Sequence, residues 1–86
     1  MKQAEKLLKA LANRRRLAIV KFLDKAGKAA VGDIAKEIKL SFKATSKHLG
    51  VLRNADVLER EQINLNMFYS LNKPLNQITI SVLNVL

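Results

Sequence analysis

The feature that most constrains the fold is a change in the spacing of apolar residues near Asp56. Before it, apolar residues recur at steps of three and four, as on the buried face of an amphipathic helix. After it they alternate with polar residues over Val57–Gln62 and Met67–Leu71, which is typical of half-buried strands. Either asparagine of the intervening segment Ile63–Asn66 can supply the left-handed residue that a tight turn needs. The chain is therefore predicted to be helical first and to continue into a β-hairpin.

The helical segments have recognisable starts and stops. Asn13 and Ser41 are good N-caps for a second and a fourth helix, and Gly27 suits a helix end that requires a positive φ. Pro74 suits the first turn of a last helix. Five helices are predicted, over about residues 2–12, 14–26, 32–39, 41–54 and 74–86. The order α-α-α-α-β-β-α describes a mainly α single domain over residues 1–86 that carries a β-hairpin.

The third and fourth predicted helices are short and only about three residues apart. The fourth would turn Thr45, Leu49 and Leu52 inward, with His48 at the edge of that stripe. Between Ile38 and Ala55 there are four basic residues and no acidic one. Two short helices on a tight turn, the second of them basic, form the helix-turn-helix arrangement, and the hairpin after them makes it a winged one.

Charge and composition favour a nucleic-acid-binding protein and argue against an enzyme or a membrane protein. The net charge of +9 favours a polyanionic partner, of which nucleic acid is the commonest, although a generally basic surface kept for solubility is the alternative. The chain has no cysteine, no signal-peptide pattern and no apolar run of membrane-spanning length, so we expect a cytoplasmic protein without membrane contact. It has no phosphate-binding loop, thiol nucleophile, catalytic triad or metal-ligand cluster. These absences argue against an enzyme and predict no cofactor.

Three segments resemble the ArsR-type transcriptional repressors, which are dimeric winged helix-turn-helix proteins. Leu11–Ile19 is similar to the start of that family's second helix, and Ser46–Leu49 resembles the signature of its recognition helix. Phe68–Asn72 resembles its returning wing strand. The resemblance implies a DNA-binding regulator, and it implies that Arg16 pairs with a carboxylate in the fold.

The departures from the family pattern are informative. Asp56 and Asn64 stand where glycine is usual, and Leu65 falls where an arginine is common at the wing tip. The paired cysteines of the metal-sensing members are absent from the third helix, which begins Gly32–Asp33. The last helix lacks their carboxylate and histidine ligands as well. No metal partner is therefore expected.

The outer face of the fourth helix is the predicted reading surface. Lysine can approach guanine O6 and N7, serine can donate or accept, and Ala44 can pack on a thymine methyl group. Ser41 leaves the helix N-terminus free to hold a phosphate. For His48 a structural hydrogen bond is slightly favoured over one to a phosphate. For Phe42, packing on the third helix is favoured over exposure beside the DNA. The predicted DNA-binding residues are Ser41, Lys43, Ala44, Ser46, Lys47, His48, Arg53 and Arg60.

The first and last helices form the dimer interface of the resembling family. Independently, the chain's last residues carry more apolar surface than one small core can easily cover. A membrane-surface helix is disfavoured because no Lys or Arg follows Lys73. The predicted interface residues are Leu7, Leu8, Leu75, Ile78, Val82, Val85 and Leu86.

These observations predict a sequence-specific regulator of double-stranded DNA, acting as a homodimeric repressor on a pseudo-palindromic operator. A winged-helix module for protein or RNA interaction is the alternative, because the wing has Glu59, Glu61 and Leu65 in place of a strongly basic tip.

Overall fold

The computed structural model describes residues 1–86, which form five helices and three strands. In chain order these are α1 (Lys2–Leu11), α2 (Arg14–Ala26), β1 (Lys28–Ala30), α3 (Val31–Ile38), α4 (Phe42–Asn54), β2 (Leu58–Ile63), β3 (Asn66–Leu71) and α5 (Gln77–Val85). The mainly α architecture with a β wing is the predicted one. The caps are those expected from the sequence: the Asn13 side chain accepts from the backbone N–H of Arg15 and Arg16, and Gly27 has a φ of 84°.

One apolar core is shared by α1 to α4 and the sheet. Ile19 and Val20 of α2 are completely buried, and so is Ile34 of α3. The three α4 residues predicted to face inward, Thr45, Leu49 and Leu52, have no exposed surface either. Burying a side chain of this size contributes about 1.5–3 kcal/mol, so this stripe holds the outer face of α4 in a fixed orientation.

The predicted element order omitted a strand. Lys28–Ala30 pairs antiparallel with β3, which lies between β1 and β2 in a three-stranded sheet. Three residues are too few to show a period-two pattern, and this segment is a strand only because β3 offers it hydrogen-bonding partners. The buried Ala29, opposite Tyr69, ties the sheet to the start of α3.

The wing itself has the predicted position and turn. Ile63 pairs with Asn66, which leaves Asn64 and Leu65 as a two-residue loop, and Asn64 takes the left-handed conformation at φ 57°. Asp56, between α4 and β2, is also left-handed at φ 61°. Asn and Asp tolerate this conformation better than other non-glycine residues, so they can replace the usual glycines.

The last helix begins later than predicted. Pro74 lies outside it, and the Asn76 side chain accepts from the Ile78 N–H at 2.8 Å as the N-cap of α5. The cap residue, and not the proline, therefore sets the start of the helix. Within α5 only Thr79 is buried, and the flanking apolar residues are half-buried against the edge of the core. The helix therefore leaves much of its apolar surface uncovered.

Candidate nucleic-acid interface

The turn between α3 and α4 fixes the angle at which α4 leaves the core. Lys39 adopts a left-handed conformation at φ 56°, and the Leu40 N–H donates to the carbonyl of Ala35 at 3.0 Å. This pattern closes a helix C-terminus in the Schellman manner. Ser41 then starts α4 at once, because its Oγ accepts from the Ala44 N–H at 3.1 Å. Three residues thus separate the two helices, as expected.

The outer face of α4 carries cations that have no acidic partner in the fold. Lys43, Lys47 and Arg53 are exposed, while Ala44 and Ser46 are half-buried on the flanks. The only ion pairs in the structure are Glu5–Lys9 and Lys28–Glu61, so no carboxylate lies within 4 Å of these three charges. Cations left unpaired on one helix face suit phosphate contacts, and the small residues among them, one polar and one apolar, suit base edges.

Two arginines at the start of α2 connect it to the ends of other helices. The Arg15 guanidinium donates to the carbonyl of Ile38, the last residue of α3, at 3.0 Å. Arg16 donates to the carbonyls of Ala10 and Lys9 at the end of α1. The family resemblance implied that Arg16 pairs with a carboxylate. This expectation is wrong, because Arg16 donates to backbone carbonyls instead. The partial negative charge of two helix C-termini offsets the unfavourable position of these cations in the first turn of α2.

His48 is held by the same cluster. Its Nδ1 lies 3.2 Å from a guanidinium nitrogen of Arg16. Arginine can only donate, so Nδ1 accepts and the ring proton is on Nε2. Burial, and then the positive charges of Arg16 and Arg15, lower the pKa of His48 from its ordinary value. The neutral form of His48 therefore connects α4 to Arg16 of α2, and its half-buried ring keeps the Nε2–H as a donor.

The wing carries a mixed set of charges. Arg60 is exposed on β2 opposite Tyr69. Glu61 is neutralised by Lys28, whose Nζ lies 3.1 Å from its carboxylate across the sheet. Leu65 at the tip is 95% exposed. The Lys28–Glu61 pair could not be expected from the sequence, because it depends on the unpredicted strand β1.

The expectation that Phe42 packs on α3 is wrong. The ring is 63% exposed at the first position of α4. Val31 and Gly32 of α3 lie near it, but together with Leu65 they line an open groove. The small Ala30 and Gly32 on this side leave too little side chain to cover a phenyl ring.

Comparison with known proteins gives the family. The family model described as bacterial regulatory protein, arsR family, matches residues 13–60, which is more than half of the chain and includes α2, α3 and α4. The chain belongs to the ArsR family. It is therefore a transcriptional regulator with a DNA-binding winged helix-turn-helix fold, and members of this family are not enzymes.

Individual relatives agree with this assignment. The chain is 31% identical to the HTH-type transcriptional regulator YgaV of Escherichia coli, over 96% of the chain and 85% of that protein. It is 30% identical to the transcriptional repressor PagR of Bacillus anthracis, with a TM-score of 0.84 over 99% of this chain and 94% of PagR.

A third similar structure is the homodimeric winged helix-turn-helix DNA-binding domain of a possible ArsR-family regulator from Mycobacterium bovis. It is 27% identical, with a TM-score of 0.88, covering 98% of this chain and 78% of that one.

The residues predicted to form an ArsR-type dimer interface differ in exposure. Leu8 is 51% exposed, Val85 81% and Leu86 40%, whereas Leu75, Ile78 and Val82 are half-buried. Leu7 is 6% exposed and packs in the core of its own protomer, so it offers a partner almost no surface. Gln3 and Ala4 of α1 lie across a groove from Asn76 and Ile78, which brings the two terminal helices to one side of the molecule.

The structure has neither a metal-ligand cluster nor a membrane-spanning helix. It contains no group of three or more His, Asp or Glu side chains arranged to hold a metal ion. None of its helices has the length and apolar character needed to cross a membrane.

Proposed function

We propose that this ArsR-family protein is a homodimeric repressor that reads a pseudo-palindromic operator with α4. The observation that carries the proposal is the outer face of α4, where Lys43, Lys47 and Arg53 have no carboxylate partner. A recognition helix in the major groove contacts bases mainly through its N-terminal residues, which here include Lys43, Ala44 and Ser46. Lys47, Arg53 and the wing residue Arg60 supply phosphate contacts.

The N-terminus of α4 adds a phosphate site to this face. Ser41 satisfies only the Ala44 N–H, so other N–H groups of the first turn remain free to donate. No acidic residue lies in that turn. A backbone phosphate placed there gains these hydrogen bonds and the favourable end of the helix dipole. His48, with its donor on Nε2, is the contact proposed on the opposite flank.

Dimerisation is supported by the apolar surface of the terminal helices. The exposed Leu8, Val85 and Leu86 lie on α1 or at the end of the chain, and α5 is only partly covered by its own protomer. Covering them against a second copy removes this surface from water and adds stability to a chain of 86 residues. The similar Mycobacterium bovis domain is homodimeric. Two copies related by a two-fold axis would place two α4 helices on half-sites about 10 base pairs apart.

The repressor role is proposed from the resemblance to PagR, which is described as a transcriptional repressor. Occupying an operator and so blocking access to it is the simplest regulatory action available to such a molecule.

The test compares two double variants that remove the same charge. Lys43→Ala with Lys47→Ala removes two cations from the outer face of α4, while Lys21→Ala with Lys25→Ala removes two exposed cations from α2. Affinity for a selected operator duplex is measured over a range of salt concentrations, and the complex is expected to contain two copies of the chain. Each lost phosphate contact lowers the slope of log affinity against log salt by about 0.9, so losing the two Lys47 contacts of the dimer lowers the slope by about 1.8. Losing Lys43 lowers the affinity for the selected sequence as well, because Lys43 is proposed to contact a base.

The α2 variant is expected to keep nearly the whole slope. Equal slopes for the two variants would contradict the proposed reading face. Preferential binding of single-stranded RNA over mixed duplex DNA at moderate salt would favour an RNA-binding module instead.

A further inference from the structure

An apolar groove opens at the N-terminal end of α4. Phe42 and Leu65 form its exposed rims, with 63% and 95% of their surface accessible. Seven residues line it, and none is acidic: Ala30, Val31, Gly32, Phe42, Leu65, Asn66 and Met67. Isolated apolar residues on a surface are ordinary, but two large ones bordering one groove mark a contact surface.

The groove is continuous with the proposed reading face. Phe42 is the first residue of α4 and is followed by Lys43, and Ser46 lies one turn further along the same flank. Lys39, exposed in the turn before α4, adds a second cation close to Phe42 in the chain. The phenyl ring thus lies between two exposed lysines in the sequence, at the helix end that approaches base edges. A double-stranded DNA surface fits this arrangement of charge better than a protein surface of unknown composition.

The phenyl ring of Phe42 is apolar, so it gains most from contact with an apolar group of the DNA. A phenyl group has no hydrogen-bond donor or acceptor, so the polar edges of guanine, cytosine and adenine gain nothing from it and lose water. The 5-methyl group of thymine is the one hydrocarbon that a base presents in the major groove. We propose that Phe42 is a specificity-determining residue that packs on a thymine methyl group in each half-site. This inference rests on the proposed operator-binding function.

The experiment removes the methyl group from the DNA and the ring from the protein. Duplexes selected from a random pool by the unchanged full chain are synthesised with thymine and, separately, with deoxyuridine at every thymine position. Deoxyuridine keeps all base-pairing groups and lacks only the methyl. The affinities of the unchanged chain, Phe42→Ala and Leu65→Ala are measured on both duplexes at one salt concentration.

The unchanged chain is expected to bind the thymine duplex about fourfold more tightly per half-site, which is the ~0.8 kcal/mol of one buried methyl group converted at 1.36 kcal/mol per tenfold. Two independent half-sites give about fifteenfold. Phe42→Ala is expected to lose this fourfold preference per half-site, so that only a preference supplied by another residue, such as Ala44, remains. Leu65→Ala, which removes a neighbouring apolar side chain, is expected to keep the full preference for thymine.

Each contrary result has a distinct meaning. Equal affinity of the unchanged chain for both duplexes overturns the inference while leaving operator binding intact. A preference that is undiminished in Phe42→Ala, or that disappears in Leu65→Ala, assigns the methyl contact to another residue and also overturns it. If Phe42→Ala leaves both affinities unchanged, the ring makes no contact with the DNA, and the inference fails while operator binding stands. If no duplex is selected at all, the proposed function fails together with the inference.

Discussion

Replacing the buried hydroxyl of Thr45 should make the protein more stable. Thr45 has no exposed surface, and its Oγ1 has no hydrogen-bond partner. A buried polar group without a partner costs about 1–3 kcal/mol of stability. Valine has nearly the same shape and the same branching at Cβ, so Thr45→Val removes this cost without opening a cavity. We expect a gain of about 1 kcal/mol in the free energy of unfolding.

The measurement is thermal and urea unfolding of three variants at this position. A gain of 1 kcal/mol raises Tm by about 4–8 °C in a domain of this size. Thr45→Ser keeps the hydroxyl and loses the methyl, so it should lower stability by about 1 kcal/mol. Thr45→Ala loses both groups, and the two effects should nearly cancel.

Operator affinity provides an independent check, because Thr45 faces the core and not the outer face of α4. Thr45→Val should therefore bind DNA as the unchanged chain does. A loss of stability in Thr45→Val would refute the reasoning. It would show that Oγ1 has a partner in solution, such as a buried water or the carbonyl one turn earlier in the helix.

Two further predictions concern groups next to α4. The lowered pKa of His48 means that the unfolded chain binds a proton at higher pH than the folded one. The free energy of unfolding should therefore fall as pH decreases below the unfolded-state value of about 6.5, until it passes the folded-state pKa. Urea unfolding between pH 7.5 and 5 checks this, and His48→Gln should remove the dependence; an unchanged dependence in that variant would rule His48 out as its source. Lys39→Gly should stabilise the fold by about 0.5–1 kcal/mol, because it relieves a left-handed backbone in a residue with a Cβ. Asp56→Gly is the matched control with a smaller gain, since Asp tolerates that conformation, and equal effects of the two substitutions on Tm would contradict the argument.

Local signals in the sequence were sufficient for most of the fold. The caps at Asn13 and Ser41 and the left-handed Asn64 follow from the chemistry of single residues, so they could be predicted. The inward stripe of α4 follows from the spacing of apolar residues. The start of α5 was predicted three residues too early because Pro74 and Asn76 are both helix-start signals, and only the capping hydrogen bond decides between them.

The sequence predicted that the candidate site lies on α4, but it did not predict the contacts that hold α4 in place. The run of basic residues without acids marked α4, but the Arg16–His48 contact joins residues 32 positions apart. No local pattern reports such a contact. The prediction that Phe42 packs on α3 was wrong for a related reason. Such packing depends on which side chains α3 places next to the ring, and the sequence around Phe42 does not show this.

The basic stretch of α4 shows which properties follow from the sequence alone and which depend on the tertiary structure. The sequence alone determined that these residues form a capped helix with Leu49 and Leu52 on one side and lysines on the other, because helical period and capping are local. Only the tertiary structure decided that the lysines have no acidic partner, that His48 contacts Arg16 of α2, and that Phe42 borders an open groove. Those properties depend on which distant segments pack beside the helix, and a one-dimensional pattern does not contain that information.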